Sequence, residues 1–371
     1  MTGPYGDSTR SVTASATHGV PGAPVSTPPV PASAYHLSAD ETQPQDVYGR
    51  GSNPTWRQLE TALATLEGAT AALSFSSGMA AITAALRVLA TPGKRLVVPA
   101  DGYYQVRQYA LEKLAVHGVN VVVAAAAEMH AAAEHADVVL AETPVNPTLD
   151  VVDLHRLAII CRSRGATLVV DNTTPTPFGQ QPLSLGADLV VASATKALAG
   201  HGDVLAGYAA GCHDELMAAI ERERLLCGAI LGPFEAWLVL RSLGSAGLRF
   251  ERQCHNALAV AVMLRGHRAV RAVRYPGLPG DPSHALASRQ MRRFGGLVSI
   301  ELADAAAVHD LAARSALLVS ATSFGGIHSS IDRRARWGDP VSAGFARLSL
   351  GIEDTDDLVA DIDQALAGGP L

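Results

Sequence analysis

Leu189-Val190-Val191-Ala192-Ser193-Ala194-Thr195-Lys196 begins as an unbroken apolar run of strand length and ends in two hydroxyls and a lysine; Gly200-His201-Gly202-Asp203 follows shortly after. A run of the same kind, Thr167–Val170, leads straight into Asp171-Asn172-Thr173. Working back, Arg95–Pro99, Val119–Val123 and Val138–Glu142 read as strands. Helical spacing separates them over Gln105–Val116 and Asp153–Arg164, with a short helical piece near Leu183. Continuous apolar strands alternating with helices predict an α/β fold with a mostly parallel sheet covered on both faces. Ligands bind such sheets beyond the carboxyl ends of the strands, which is where Asp171 and Lys196 stand.

Further out, Leu59, Leu63 and Leu66 recur at helical spacing over Trp56–Leu66, and Ser77-Gly78-Met79 is a small turn opening a helix over Ala80–Leu89. Residues 1 to about 47 are rich in Pro, Ser, Thr, Ala and Gly and predict an extended arm with little regular structure. Such an arm is either a disordered tail or a segment that wraps a neighbouring subunit. Past Gly232-Pro233 a long helix is expected over Phe234–Arg265. Beyond it, strands at Val270–Tyr275, Gly296–Leu302 and Phe345–Leu350 and helices at Ala305–Ala316 and Asp354–Leu366 predict a smaller α+β domain. The expected division is an arm over 1–55, a large domain over 56–250 and a small C-terminal domain over 251–371.

The chain has 371 residues and a net charge of −6, so it lacks the basic excess a general nucleic-acid binder needs. Its 48% apolar and 17% charged residues suit a large buried interior. Cys161, Cys212, Cys227 and Cys254 are scattered, which fits neither a zinc site nor a disulfide framework and suggests reduced thiols in a cytosol. Each is read as a small core residue or, alternatively, a nucleophile. No basic stretch followed by an apolar run marks a signal peptide, and Val119–Ala127 is far short of the roughly 18 apolar residues that span a bilayer. A cytoplasmic enzyme without nucleic-acid or membrane partners is expected.

Taken singly, Lys196, Asp171 and the Ser77-Gly78-Met79 turn have ordinary explanations: a solvated loop lysine, a helix cap, a turn. Together they meet the needs of pyridoxal 5′-phosphate (PLP): an amine for a Schiff base, a carboxylate for the pyridinium nitrogen, and N–H groups at a helix start for the phosphate. Burial and a cationic ring nearby would lower the lysine pKa towards a usable nucleophile.

With these residues in place, the chain resembles the Cys/Met-metabolism PLP enzymes, which include cystathionine γ-lyase, cystathionine γ-synthase, methionine γ-lyase and the O-acylhomoserine sulfhydrylases. The resemblance runs from about Tyr48 to the C-terminus. It rests on Asp171-Asn172-Thr173, Ser193-Ala194-Thr195-Lys196, Gly200-His201, Tyr48-Gly49-Arg50 with Asn53-Pro54-Thr55, and Arg347–Asp354. It implies the fold type I (aspartate aminotransferase-like) architecture of PLP-dependent transferases. It also implies that Lys196 carries PLP, Asp171 meets the ring nitrogen, and Gly78, Met79, Ser193 and Thr195 hold the phosphate. Tyr103 would stack on the ring and assist proton transfer at the leaving group. Asn146 would lie beside the ring oxygen and the substrate. Arg347 and Ser323 would bind the substrate α-carboxylate. Tyr48 and Arg50 would reach the phosphate of a neighbouring subunit, which implies a homodimer, usually doubled to a tetramer. Alternatively, Tyr48 is a core aromatic and Arg50 a surface charge.

The chain departs from the family pattern in places. Gln105 stands where methionine γ-lyases carry a cysteine, and His328 stands where a glutamate is thought to meet the distal end of a long substrate. His328 is expected to bind a distal carboxylate or to select another substrate. Arg333-Arg334-Ala335-Arg336-Trp337 reads either as a basic cluster favouring an anionic group or as a solvated charged loop. The expected activity is γ-elimination of the cystathionine γ-lyase type. A γ-replacing enzyme (cystathionine γ-synthase or O-acylhomoserine sulfhydrylase) is the alternative, and a non-catalytic PLP-fold binding subunit is the reading from another class. No G-x-G-x-x-G follows a strand, which counts against a dinucleotide-binding dehydrogenase.

Overall fold

The computed structural model describes residues 5–16, 19, 21–39, 42 and 44–368. Strands β1 (Ala71–Phe75), β2 (Arg95–Pro99), β3 (Asn120–Ala124), β4 (Val138–Glu142), β5 (Thr167–Asp171), β6 (Leu189–Ala192) and β7 (Gly207–Gly211) form one sheet in the order β1-β7-β6-β5-β4-β2-β3. Only β7 runs against its neighbours; the rest of the sheet pairs parallel. β4 and β6 are buried along their whole length, because helices cover both faces and leave no place for a polar side chain.

A second sheet contains β8 (Ala272–Arg274), β9 (Leu297–Glu301), β10 (Val319–Ser320), β11 (Ser330–Arg333) and β12 (Phe345–Ser349), in the order β10-β11-β12-β9-β8. The helix Pro233–Gly266 serves both cores. Ala236, Val239, Leu240, Leu243, Ala246 and Phe250 pack with the large sheet, whereas Ala257, Val260, Ala261 and Leu264 pack with the small one.

The expected strands at Arg95–Pro99, Val138–Glu142 and Leu189–Ala192 appear with the same bounds. The arm is a correction in one part: Asp7–Ser15 is a helix rather than irregular chain. It is anchored within its own chain. The Ser11 hydroxyl donates to the Leu243 carbonyl and accepts the Gly247 N–H, and Asp7 is ion-paired with Arg10, Arg292 and Arg293. A side chain at Gly247 would stand 2.8 Å from the Asp7 carbonyl, so this glycine permits the close approach. Among the described residues, no helix is long and apolar enough to cross a membrane.

Candidate active site

The carboxyl ends of the parallel strands open into a cavity of about 640 Å³. Ser77, Gly78, Met79, Tyr103, Asn146 and Asp171 line it from the large sheet's side, together with Ser193, Thr195 and Lys196. Ser323, Phe324, Arg334, Trp337 and Arg347 close it from the small sheet's side.

Lys196 follows β6 in a turn that the long helix holds in place. Arg249 donates to the carbonyls of Ala197 and Leu198, each at 2.8 Å. Four residues further along the same helix, Gln253 donates to the carbonyls of Gly325 and Gly326. The Ser323–Gly326 loop is thereby pressed against the lysine turn, and a Cβ at Gly325 would lie 2.6 Å from the Ala197 nitrogen. Lys196 Nζ donates to Ser323 Oγ at 2.7 Å. Ser323 has φ 71°, an uncommon conformation for a side chain-bearing residue and one often stored at functional sites. Burial and the nearby Arg347 push the Lys196 ammonium down to about 8, and Asp171 pulls in the other direction.

Asp171 ends β5. Its Oδ1 accepts the Thr173 N–H at 3.0 Å and the Thr173 hydroxyl at 2.5 Å, yet burial raises its pKa above the ordinary range. Tyr103 Oη donates to Gln105 Oε1 at 2.7 Å, and burial raises its pKa as well. Arg347, on β12, donates from Nη1 to Asn146 Oδ1 at 2.6 Å and from Nη2 to the Ser323 carbonyl at 2.5 Å. Its buried Nε has no hydrogen-bond partner.

These residues suit PLP. The helix Gly78–Leu89 begins at the cavity wall with Gly78 and Met79, whose N–H groups are not claimed by the Ser77 N-cap that accepts from Ala80. A Cβ at Gly78 would stand 2.7 Å from Ser193 Cβ, so only glycine leaves this cradle open. The half-buried amine, the buried carboxylate and the aromatic wall complete what the cofactor's aldehyde, ring nitrogen and ring face require.

A family model described as Cys/Met metabolism PLP-dependent enzyme matches residues 8–367. This chain belongs to that family. The Cys/Met-metabolism assignment makes it a PLP-dependent enzyme acting on a small amino-acid substrate. A Streptomyces coelicolor protein with a provisional cystathionine gamma-lyase name is 46% identical over 97% of this chain and 93% of its own length. The cystathionine gamma-synthase of Mycobacterium tuberculosis H37Rv is 39% identical over 86% of each chain. The solved cystathionine gamma synthase of Xanthomonas oryzae pv. oryzae superposes with a TM-score of 0.92, at 34% identity and 99% coverage of both chains. These relatives carry both lyase and synthase names, so family membership alone leaves elimination and replacement undivided.

His328, Tyr48 and Arg50 lie outside this cavity. His328 lines an adjoining cavity of about 600 Å³ with His201 and Asp203, and the two cavities share Thr195, Leu205, Thr322, Ser323 and Phe324. Tyr48 and Arg50 are exposed; the Arg50 guanidinium lies 5.7 Å from the centre of the Tyr48 ring and donates to the Leu225 carbonyl. The arginine-rich segment divides. Arg334 is buried between Asp332 and Asp339, at 2.7 Å from each, whereas Arg336 is exposed. Burial pushes the Cys161 and Cys254 thiols up to about 12, which leaves them inert as nucleophiles.

Glu142 and Gln105 also line the cavity and were not expected there as functional residues, whereas Arg334 and Trp337 bring the arginine-rich segment to it. Glu142 had a visible signal: like Asp171, it is an acid closing a wholly apolar strand.

Proposed function

We infer that this enzyme performs γ-elimination on L-cystathionine, consuming water and releasing cysteine, 2-oxobutanoate and ammonia. The convergence of Lys196, Asp171, Tyr103 and Arg347 on one cavity carries this reading. The 46% identity to the Streptomyces coelicolor relative favours elimination over replacement.

Lys196 holds the cofactor through its amine. As a free amine, Lys196 would take the substrate's α-proton and then a β-proton. Its pKa of about 8 leaves a useful fraction of free base near neutral pH. When bound, PLP supplies the electron sink for the charge left at Cα. Asp171 keeps the ring nitrogen protonated. Gly78 and Met79 N–H groups and the Ser193 and Thr195 hydroxyls hold the phosphate. Tyr103 would wall the ring face and, retaining its proton at neutral pH, would deliver it to the departing thiolate sulfur. Arg347, with Nε unclaimed, grips the α-carboxylate with help from Ser323, and Asn146 orients the ring oxygen. His328 meets the distal end of the substrate from the adjoining cavity. Tyr48 and Arg50 reach the phosphate held by a second copy, which makes the active unit a homodimer, doubled to a tetramer.

γ-Replacement uses the same residues up to the loss of the γ-substituent, after which a thiol adds in its place. The synthase names of the Mycobacterium and Xanthomonas relatives support this second reading. Mass-spectrometric product analysis with PLP-loaded protein and L-cystathionine as sole substrate separates the two. Cysteine plus 2-oxobutanoate is the expected result. No turnover of cystathionine, with its formation from an acylated homoserine and cysteine, would replace the lyase reading by the synthase one.

A further inference from the structure

Glu142 closes β4 and is the Cα partner of Asp171 on β5. Both side chains are buried, and both line the Lys196 cavity. No step above uses Glu142, although two carboxyls held side by side away from water are costly. Burial and the Asp171 charge push Glu142 up to about 8, against the opposing pull of two backbone N–H groups.

Those N–H groups explain its placement. Glu142 Oε2 accepts from the Tyr103 nitrogen at 2.8 Å, and Oε1 accepts from the Asn146 nitrogen at 2.7 Å. Tyr103 comes from the segment after β2 and Asn146 from the segment after β4, so one side chain ties two loops together. Asn146 then accepts from Arg347 on the small sheet. The chain Tyr103–Glu142–Asn146–Arg347 thus crosses the cavity from its aromatic wall to its guanidinium. Gly102 makes room for it: a Cβ there would stand 2.5 Å from Glu142 Oε2. Glutamine is no substitute, since it has one acceptor oxygen and would turn its NH2 towards one of the two N–H donors.

We propose that Glu142 is a positioning residue that sets the spacing between the Tyr103 ring and the Asn146–Arg347 pair. This rests on reading Tyr103 as the cofactor's ring contact and Arg347 as the carboxylate grip. It gives Glu142 a part in both cofactor seating and substrate affinity without contact with the reacting atoms.

The test uses full-length Glu142→Gln, with Gly102→Ala as a second variant that displaces the carboxylate without removing it. PLP affinity by fluorescence titration, circular dichroism of the cofactor band, and kcat and KM are compared with wild type. A buried donor left unsatisfied costs about 1–3 kcal/mol, so PLP binding by Glu142→Gln is expected to weaken by roughly tenfold or more. The dichroic band should change shape and KM should rise more than kcat falls, with PLP affinity compared at a temperature where the cofactor-free variant is fully folded. Gly102→Ala should show the same pattern at smaller size. If Glu142→Gln fails to fold, Gly102→Ala decides. Unchanged PLP affinity, dichroism and KM in the folded variants would overturn the proposal. The cofactor readouts need no turnover, so failure of the cystathionine reading would be seen separately, in wild type.

Discussion

Lys196 Nζ reaches Ser323 Oγ at 2.7 Å, although 127 residues separate them in the chain. The contact brings a left-handed serine from the small sheet's side against the lysine that follows β6. The amine proposed to carry the cofactor is therefore held by both halves of the fold.

Removing that amine is the most direct check on its role. Lys196→Ala should lose turnover and covalent PLP together, read as product formation and as PLP mass retained after borohydride reduction. Retained turnover would refute the assignment of Lys196.

The environment of Lys196 predicts a pH dependence. Burial first, then Arg347, destabilise the ammonium and lower its pKa to about 8 from 10.5. Capture of PLP by cofactor-free protein needs the free amine, so its rate should rise with pH and level off above about 8. Arg347→Ala removes a neighbouring positive charge and should move the midpoint upward. The same variant should raise KM on the order of 10- to 100-fold, because a charge-assisted bond contributes about 1.5–3 kcal/mol. An unmoved midpoint would show that Arg347 does not act on the lysine.

Among the described residues, Arg50 makes one exposed hydrogen bond within its own chain, to the Leu225 carbonyl at 3.0 Å. Arg50→Ala should therefore leave the subunit fold intact while weakening PLP retention and loosening the dimer. Light scattering across a dilution series and PLP titration measure both. Unchanged cofactor affinity would count against a phosphate contact between subunits.

Glu67 offers a test away from the reaction. It is buried beneath the site, accepts the Tyr208 hydroxyl at 2.5 Å and lies within reach of the Asn172 amide. Burial lifts its carboxyl from 4.5 to about 7. Between those values the folded protein keeps a proton that the unfolded chain has released, so stability falls as pH rises through this window. Glu67→Gln lacks this dependence. Its melting temperature relative to wild type should therefore improve from pH 5 to pH 8, by the equivalent of about 1–3 kcal/mol. Parallel pH profiles would show that the carboxyl titrates normally.

Burial patterning alone specifies most of the large sheet. Strands covered on both faces must be apolar throughout, so β2, β4 and β6 stand out as unbroken runs. β7 escaped because Gly-Tyr-Ala-Ala-Gly has neither β-branched residues nor alternation; its glycines answer to packing, and a Cβ at Gly207 would strike the Ser77 carbonyl. The helix Asp7–Ser15 escaped for a similar reason. Its sequence is mostly polar, and its stability comes from Leu243, Gly247, Arg292 and Arg293, far away in the chain.

The chemical groups of the site were legible because each stands at a local signal: an acid or a lysine after an apolar strand, a small turn before a helix. Their relations were not. Whether Arg334 is a free cation or a neutralised one depends on Asp332 and Asp339 folding around it. The adjoining cavity of His328 and the bridge Glu142 forms between Tyr103 and Asn146 likewise exist only once separate loops meet. Sequence by itself determines which residues can do chemistry, since polarity and spacing are local properties. Distances, burial and the resulting pKa shifts belong to the tertiary structure, because they arise between residues that the chain order keeps apart.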